Sequence, residues 1–127
     1  MIIGVGTDIV QIPRIERILN LYDQRFVNII LSKTEIQKLT SLSKDQYGCF
    51  LAKRFAAKEA VSKALGIGIG RGLRFKDISI LNDALGKPFV QICHPENPNK
   101  FGQIKIHLSI SDDYPISVAF AVITSKV

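Results

Sequence analysis

The sequence predicts an α+β fold in which helices pack on a mostly antiparallel sheet. Two changes of periodicity carry the prediction. A β-branched stretch opens the chain, and apolar residues then recur at three- and four-residue spacing as far as Leu65. Beyond a glycine-rich stretch the spacing drops to two. One strand, then helices, then a run of strands speaks for segregated elements rather than repeated βαβ units. With 127 residues, 46% hydrophobic and 22% charged, the chain is expected to form a single domain, 1–127. A domain of that size buries roughly two-thirds of its unfolded surface. The composition excludes a disordered tail, a collagen-like repeat and a disulfide-dense mini-protein, and no internal repeat or linker interrupts it.

Residues 2–9 read as the first strand, ending near Asp8. Pro13 suits the first turn of a helix. Ile15, Ile18, Leu19, Tyr22, Phe26, Ile29 and Ile30 then form one apolar helical stripe. Ser32-Lys33-Thr34-Glu35 has the form of a capping box and opens a short helix to about Leu42. From Asp45 to Leu65 runs the strongest helical pattern, with Gly66 as its C-terminal cap. Gly66 to Gly72 is a glycine-rich loop. Phe75–Leu81 and Phe89–Cys93 read as strands around a turn at Asn82–Lys87, and His94–Lys100 as a loop. Ile104–Ile110 alternates like a half-buried strand. Ser111–Pro115 turns the chain into Ile116–Thr124, which is apolar on both faces and therefore central or at an interface.

The opening Met1–Asp8 has neither the basic segment nor the cleavage site of a signal peptide. No apolar run approaches the ~18–20 residues of a membrane span. Cys49 and Cys93 are too few and too far apart for a disulfide framework or a zinc site, so both are expected as ordinary thiols. A reducing cytoplasm fits these features.

Charge is the more informative quantity. Lys and Arg number 17 against 11 Asp and Glu, a net +6, and the excess is local. Residues 33–76 hold ten of the basic residues against only Glu35, Asp45 and Glu59, whereas the flanking segments nearly balance. A negative partner is expected to dock there: nucleic acid, anionic membrane, phosphorylated small molecule or acidic protein.

Two carboxylates stand out. Asp8 closes an apolar strand, where it either caps the following helix in water or holds a cation that keeps it charged. Glu59 is the only acid among Lys53, Arg54, Lys58 and Lys63 of its helix, and it either pairs with Lys63 at the surface or joins Asp8 as an oxygen ligand for Mg²⁺. In the second case Lys63 and Arg54 would face the same cleft and neutralise the phosphate charge. The glycine loop lacks the ending of a P-loop and follows a helix instead of opening one, so a mobile connection and a phosphate-contacting loop helped by Arg71 both remain open. His107 reads as structural and His94 as exposed. No Ser-His-Asp or Cys-His arrangement suggests covalent catalysis.

Four segments resemble a known family in order and spacing. Gly6-Thr7-Asp8-Ile9-Val10, followed by Ile12, Arg14 and Ile15, resembles the opening of bacterial holo-[acyl-carrier-protein] synthases. Arg54-Phe55-Ala56-Ala57-Lys58-Glu59-Ala60-Val61-Ser62-Lys63-Ala64-Leu65-Gly66 is similar to that family's second motif, F-[AS]-x-K-E-A-x-x-K-A-x-G. Gly66–Arg71 and Leu85-Gly86-Lys87-Pro88 match as well, so the resemblance covers essentially the whole chain.

The resemblance implies the 4'-phosphopantetheinyl transferase fold. It also implies transfer of 4'-phosphopantetheine from coenzyme A to a serine of apo-acyl-carrier protein, in support of fatty acid biosynthesis, with release of adenosine 3',5'-bisphosphate. It further implies Mg²⁺ on Asp8 and Glu59, and Lys63 and Arg54 on the coenzyme A phosphates. Gly66 and Gly68 would lie at the cofactor, and Gly86, Lys87 and Pro88 near its adenine nucleotide. The family forms homotrimers with sites between subunits. Arg14 and Arg17 would attract the acidic carrier protein. Many relatives carry a histidine where this chain has Asp112, which therefore receives no catalytic role.

Two rival readings need different chemistry. A nucleic-acid-binding module would use the basic middle third, yet its aromatic residues are not interleaved with the basic ones and no reader motif is present. A purely structural oligomerisation domain would use the apolar last strand and leaves Asp8 and Glu59 unexplained.

Overall fold

The computed structural model describes residues 1–126. β1 (Ile2–Gln11) leads into α1 (Ile12–Tyr22), α2 (Gln24–Ile30), α3 (Lys33–Thr40) and the long α4 (Tyr47–Leu65). β2 (Ile78–Asn82), β3 (Pro88–Ile92), β4 (Ile104–Asp113) and β5 (Ile116–Ser125) follow. The architecture is the expected α+β arrangement with antiparallel pairing, but the strands form two sheets instead of one. β1 and β4 flank β5 in the first, and β2 pairs with β3 in the second. The sheets meet where β3 packs beside β4.

The predicted first helix is two helices. Asp23 takes a positive φ of 48°, where its amide still bonds Leu19 O and its carbonyl accepts from Phe26 and Val27. Asp is among the few non-glycine residues that tolerate this region. The break rotates α2, so Ile15 and Ile30 are buried while Tyr22 and Ile29 of the expected stripe are exposed. The capping box at α3 is formed as predicted: Ser32 N–H donates to Glu35 Oε1 at 2.9 Å, and Ser32 Oγ accepts from the Glu35 amide. The strand predicted from Phe75 starts only at Ile78. Residues 75–77 form instead a 3₁₀ turn whose first amide, that of Arg74, is held by Asp77 Oδ2 at 2.9 Å.

α4 runs through the centre of the molecule, against β1 and β5 on one side and α1 and β2 elsewhere. It is therefore buried nearly all round, at Leu51, Ala52, Ala56, Ala57, Ala60 and Val61 among others. Such a helix carries no single apolar stripe. Truncating a fully buried Leu51 to Ala would cost about 2–5 kcal/mol. The many alanines let β1 lie close. At Gly4 and Gly6 the two backbones meet: a Cβ at Gly4 would overlap the carbonyl oxygen of Ala64, and one at Gly6 would overlap that of Ala60 and crowd the Lys63 side chain. α4 ends where predicted: Gly66 adopts φ 73°, and Ile67 N–H reaches back to Ser62 O at 3.1 Å.

β5 is central in its sheet, with Ala119, Ala121 and Ile123 buried on one face and Val118 and Phe120 exposed on the other. His94 is buried, contrary to expectation. Its Nδ1 accepts the Glu96 and Asn97 amides at 3.2 and 3.1 Å, so the ring organises the loop from inside. Cys93 is exposed and Cys49 half-buried, both free.

Candidate functional site

β1 and α4 bring Asp8, Glu59 and Lys63 together. Glu59 and Lys63 are one turn apart on the same helical face, and the Gly6 crossing lays the middle of β1, which runs past its expected end at Asp8 to Gln11, against that face. Lys63 does not pair with Glu59. Its Nζ donates instead to Thr7 O at 2.9 Å and to Asp8 Oδ1 at 3.2 Å. The other oxygen of Asp8, Oδ2, is buried and has no hydrogen-bond partner. A carboxylate oxygen in that position needs a cation or a donor to offset its lost hydration. Burial raises the pKa of Glu59 above the usual carboxylate value and the Asp8 charge raises it further, with Lys63 opposing. Ser62, Gly66, Ile67, Gly68 and Ile69 complete a cleft of about 340 Å³ beside Glu59 and Lys63, so both glycines predicted at the cofactor lie there.

Two carboxylates with an unpartnered oxygen fit a hard divalent cation that completes its shell with water and phosphate. No cluster of three or more His, Cys, Asp or Glu suited to a metal occurs among the described residues. A cation held by Asp8 and Glu59 would therefore take most of its shell from water and phosphate.

Arg54 is not in this cleft, which corrects the expectation that it shares a face with Glu59 and Lys63. Five residues of α-helix turn about 500°, placing Arg54 some 140° around from Glu59. It lines a separate cleft of about 400 Å³ with Lys38, Lys53, Phe50 and Asn82. Its guanidinium is buried, stacks 4.5 Å over the Phe50 ring and donates from Nη2 to Asn82 Oδ1 at 3.0 Å. The Gly86-Lys87-Pro88 segment belongs to this second group through Asn82, whose Nδ2 bonds Gly86 O at 3.0 Å.

Behind Arg54 lies a network that sequence reasoning missed. Lys58 is fully buried and donates to Glu35 Oε1 at 2.6 Å, to Phe75 O at 3.0 Å and to Ile30 O. Glu35 Oε2 accepts the Ile80 amide at 3.0 Å and stands 3.7 Å from Arg54 Nε. Two cations of the basic middle third are therefore internal, and the charge available for docking is smaller than the count suggests.

Arg14 and Arg17 are exposed on α1, as docking residues must be. Asp112 is the penultimate residue of β4, where Lys53 stands 3.9 Å from Oδ1 and the Cys49 thiol 3.5 Å from Oδ2. His107 is exposed and hydrogen-bonds Thr124 Oγ1 at 3.1 Å, away from both clefts.

Comparison with known proteins follows the same lines. The family model of the 4'-phosphopantetheinyl transferase superfamily matches residues 4–119. The chain is 50% identical over 131 residues to a holo-[acyl-carrier-protein] synthase of Orientia tsutsugamushi (strain Ikeda), covering all of both chains. Its fold is similar to the crystal structure of a holo-(acyl-carrier-protein) synthase from Bacillus anthracis str. Ames in complex with CoA (3',5'-ADP), with TM-score 0.86, 38% identity and 99% of each chain covered. It is equally similar to that of a holo-[acyl-carrier-protein] synthase from Neisseria meningitidis, with TM-score 0.86 and 38% identity over 98% of this chain and 100% of that one.

Proposed function

The chain belongs to the 4'-phosphopantetheinyl transferase superfamily, within its holo-[acyl-carrier-protein] synthase family, and from that premise we propose how its own residues bring about the transfer. The reaction moves 4'-phosphopantetheine from coenzyme A to a serine of apo-acyl-carrier protein and releases adenosine 3',5'-bisphosphate. In our reading the serine oxygen attacks the β-phosphorus in line. A bond from that oxygen to phosphorus forms as the bond from phosphorus to the bridging oxygen breaks, and the departing α-phosphate keeps the electron pair.

Asp8 and Glu59 are the residues that would hold Mg²⁺, which when bound neutralises pyrophosphate charge and polarises the phosphorus under attack. The buried, unpartnered Asp8 Oδ2 is the observation that carries this reading. Glu59 receives the serine proton and releases it to water. Lys63 moves from the Asp8 oxygen to the departing phosphate, which its half-exposed side chain can reach without leaving its helix. The amides of the Gly66–Gly68 turn border the same cleft.

Arg54 and Gly86–Pro88 require a second subunit. Their cleft lies on another side of α4, so the phosphate bound there is not the reacting pyrophosphate of the same chain. We assign it the 3'-phosphate and adenine end of a coenzyme A lying between two subunits. A homotrimer closed through the outer face of the three-stranded sheet supplies that arrangement. Val5, Ile9, Val118 and Phe120 stand exposed on that face, with Ile9 opposite Val118 and Thr7 opposite Phe120 in the ladder. The exposed Arg14 and Arg17 of α1, with Leu21, Tyr22 and Arg25 beyond them, form the surface for an acidic carrier protein. The proposed setting is the cytoplasm, feeding carrier protein to fatty acid synthesis. No helix among the described residues is long and apolar enough to cross a membrane.

Glu59→Gln tests this directly. Incubated with coenzyme A, Mg²⁺ and apo-carrier, the variant should leave the carrier unmodified by mass spectrometry while its circular dichroism matches wild type. Normal transfer by a folded Glu59→Gln protein overturns the assignment.

A further inference from the structure

Asn82 ties the second cleft together. Its Oδ1 accepts from Arg54 Nη2 and its Nδ2 donates to Gly86 O, each at 3.0 Å. A carboxamide carries an acceptor and a donor on one rigid plane, so it can hold a guanidinium and a carbonyl at once; aspartate has no donor to offer the second. The turn it holds is already ordered. Asp83 Oδ1 accepts the Leu85 and Lys87 amides at 2.9 Å each, Asp83 N–H donates to Lys87 O, and Gly86 sits at φ 87°.

Arg54 is the other half of the arrangement. The carboxylate nearest to it, Glu35, is committed to Lys58 at 2.6 Å and reaches Arg54 Nε only at 3.7 Å, and that Nε has no hydrogen-bond partner. Two buried cations thus share one carboxylate. The guanidinium keeps uncompensated charge at the wall of a cleft lined also by Lys38 and Lys53 against one carboxylate, Asp45. A phosphate monoester dianion is the ligand that such a wall takes.

We propose that Asn82 is a positioning residue for nucleotide recognition: it locks the Arg54 fork and the Gly86–Pro88 turn into one frame, so that the 3'-phosphate and the adenine end of coenzyme A bind as a unit. The proposal rests on the assignment of this cleft to the nucleotide end of coenzyme A. Asn82 touches no reacting atom, so its contribution lies in binding the distal phosphate and not in the chemical step.

Transfer to apo-carrier with Mg²⁺, using coenzyme A or 3'-dephospho-coenzyme A as donor, separates the possibilities. Asn82→Ala should raise KM for coenzyme A about tenfold, the usual worth of one charge-assisted hydrogen bond. Its kcat should stay near wild type, and its KM for the dephospho donor, which keeps the adenine end, should rise less than that for coenzyme A, so discrimination between the donors shrinks. Asn82→Asp keeps an acceptor for Arg54 but loses the donor to Gly86 and adds a negative charge beside the phosphate. It should bind coenzyme A more weakly than Asn82→Ala while unfolding at or above the wild-type temperature. Arg54→Gln is the control for the underlying assignment, and loss of discrimination there supports it. If Arg54→Gln loses discrimination and Asn82→Ala keeps it, or if Asn82→Ala weakens both donors equally, the role of Asn82 is overturned. Wild-type discrimination in Arg54→Gln overturns the assignment of the cleft itself.

Discussion

Lys63 Nζ holds one oxygen of Asp8 at 3.2 Å while the other oxygen of the same carboxylate is buried without a partner. The pair is thus half neutralised, with the lysine still half exposed and free to swing. Replacing Lys63 by Ala removes the cation that would meet the departing phosphate. Transfer should fall about 10²- to 10³-fold, the usual loss for a group aimed at charge developing in the transition state. Single-turnover rates with saturating coenzyme A measure this. A loss below threefold would mean that Lys63 serves only to tether Asp8.

Gly6, together with Gly4, sets the distance between β1 and α4. A methyl at this position meets the Ala60 carbonyl, backbone against backbone, so neither partner can rotate away. Gly6→Ala should therefore push the strand outward, destabilise the chain by roughly 1–3 kcal/mol as overpacking does, and separate Asp8 from Glu59. Activity should fall more than stability. Urea unfolding paired with a transfer assay at a temperature where the variant is fully folded shows both.

The Glu35–Lys58 pair is internal, and breaking it leaves a charge in the core. Lys58→Met should cost about 3–5 kcal/mol. Adding Glu35→Gln should recover part of this, because it removes the unpaired carboxylate, although its single amide oxygen can accept only one of the Ser32 and Ile80 amides that Glu35 now serves with two oxygens. A double-mutant cycle in urea gives the coupling directly.

Burial draws the Lys58 ammonium from its ordinary 10.5 down to about 8, against the charge and hydrogen bond of Glu35, which raise it. Between those two values the unfolded chain binds more protons than the folded one, so stability rises with pH from about 8 to 10.5 and the gain is lost as pH falls through 8. The Lys58→Met/Glu35→Gln double variant should lack this rise. The difference between its urea midpoints and those of wild type across the range isolates Lys58 from the other groups that titrate there.

Much of this was legible in the sequence where the cause is local. The capping box at Ser32–Glu35, the stop at Gly66 and the one-turn spacing of Glu59 and Lys63 depend on residues three or four apart, and each is present. Asp8 was legible as the one carboxylate of an apolar strand, although the strand runs on to Gln11. The misplacements have long-range causes. Arg54 lies 140° around the helix from Glu59, but which faces of α4 are clefts depends on β1, α3 and β2 packing over it. Lys58 counted as surface charge because nothing near it in the chain shows that Glu35 and two carbonyls converge on it. Asp23 breaks a regular apolar stripe by taking a positive φ, which its spacing does not reveal. Asn82 reads as an ordinary turn residue until Arg54 and Gly86 are seen on either side of it.

The central claim is that Asp8 and Glu59 hold the divalent cation through which coenzyme A is gripped. Calorimetric titration of coenzyme A into the protein, with and without Mg²⁺, tests it most directly. Wild type should bind coenzyme A more tightly with Mg²⁺ than without, and that dependence should vanish in Asp8→Asn and Glu59→Gln proteins of unchanged circular dichroism. Coenzyme A binding that ignores Mg²⁺ in wild type, or an Mg²⁺ dependence that survives both substitutions, would contradict it.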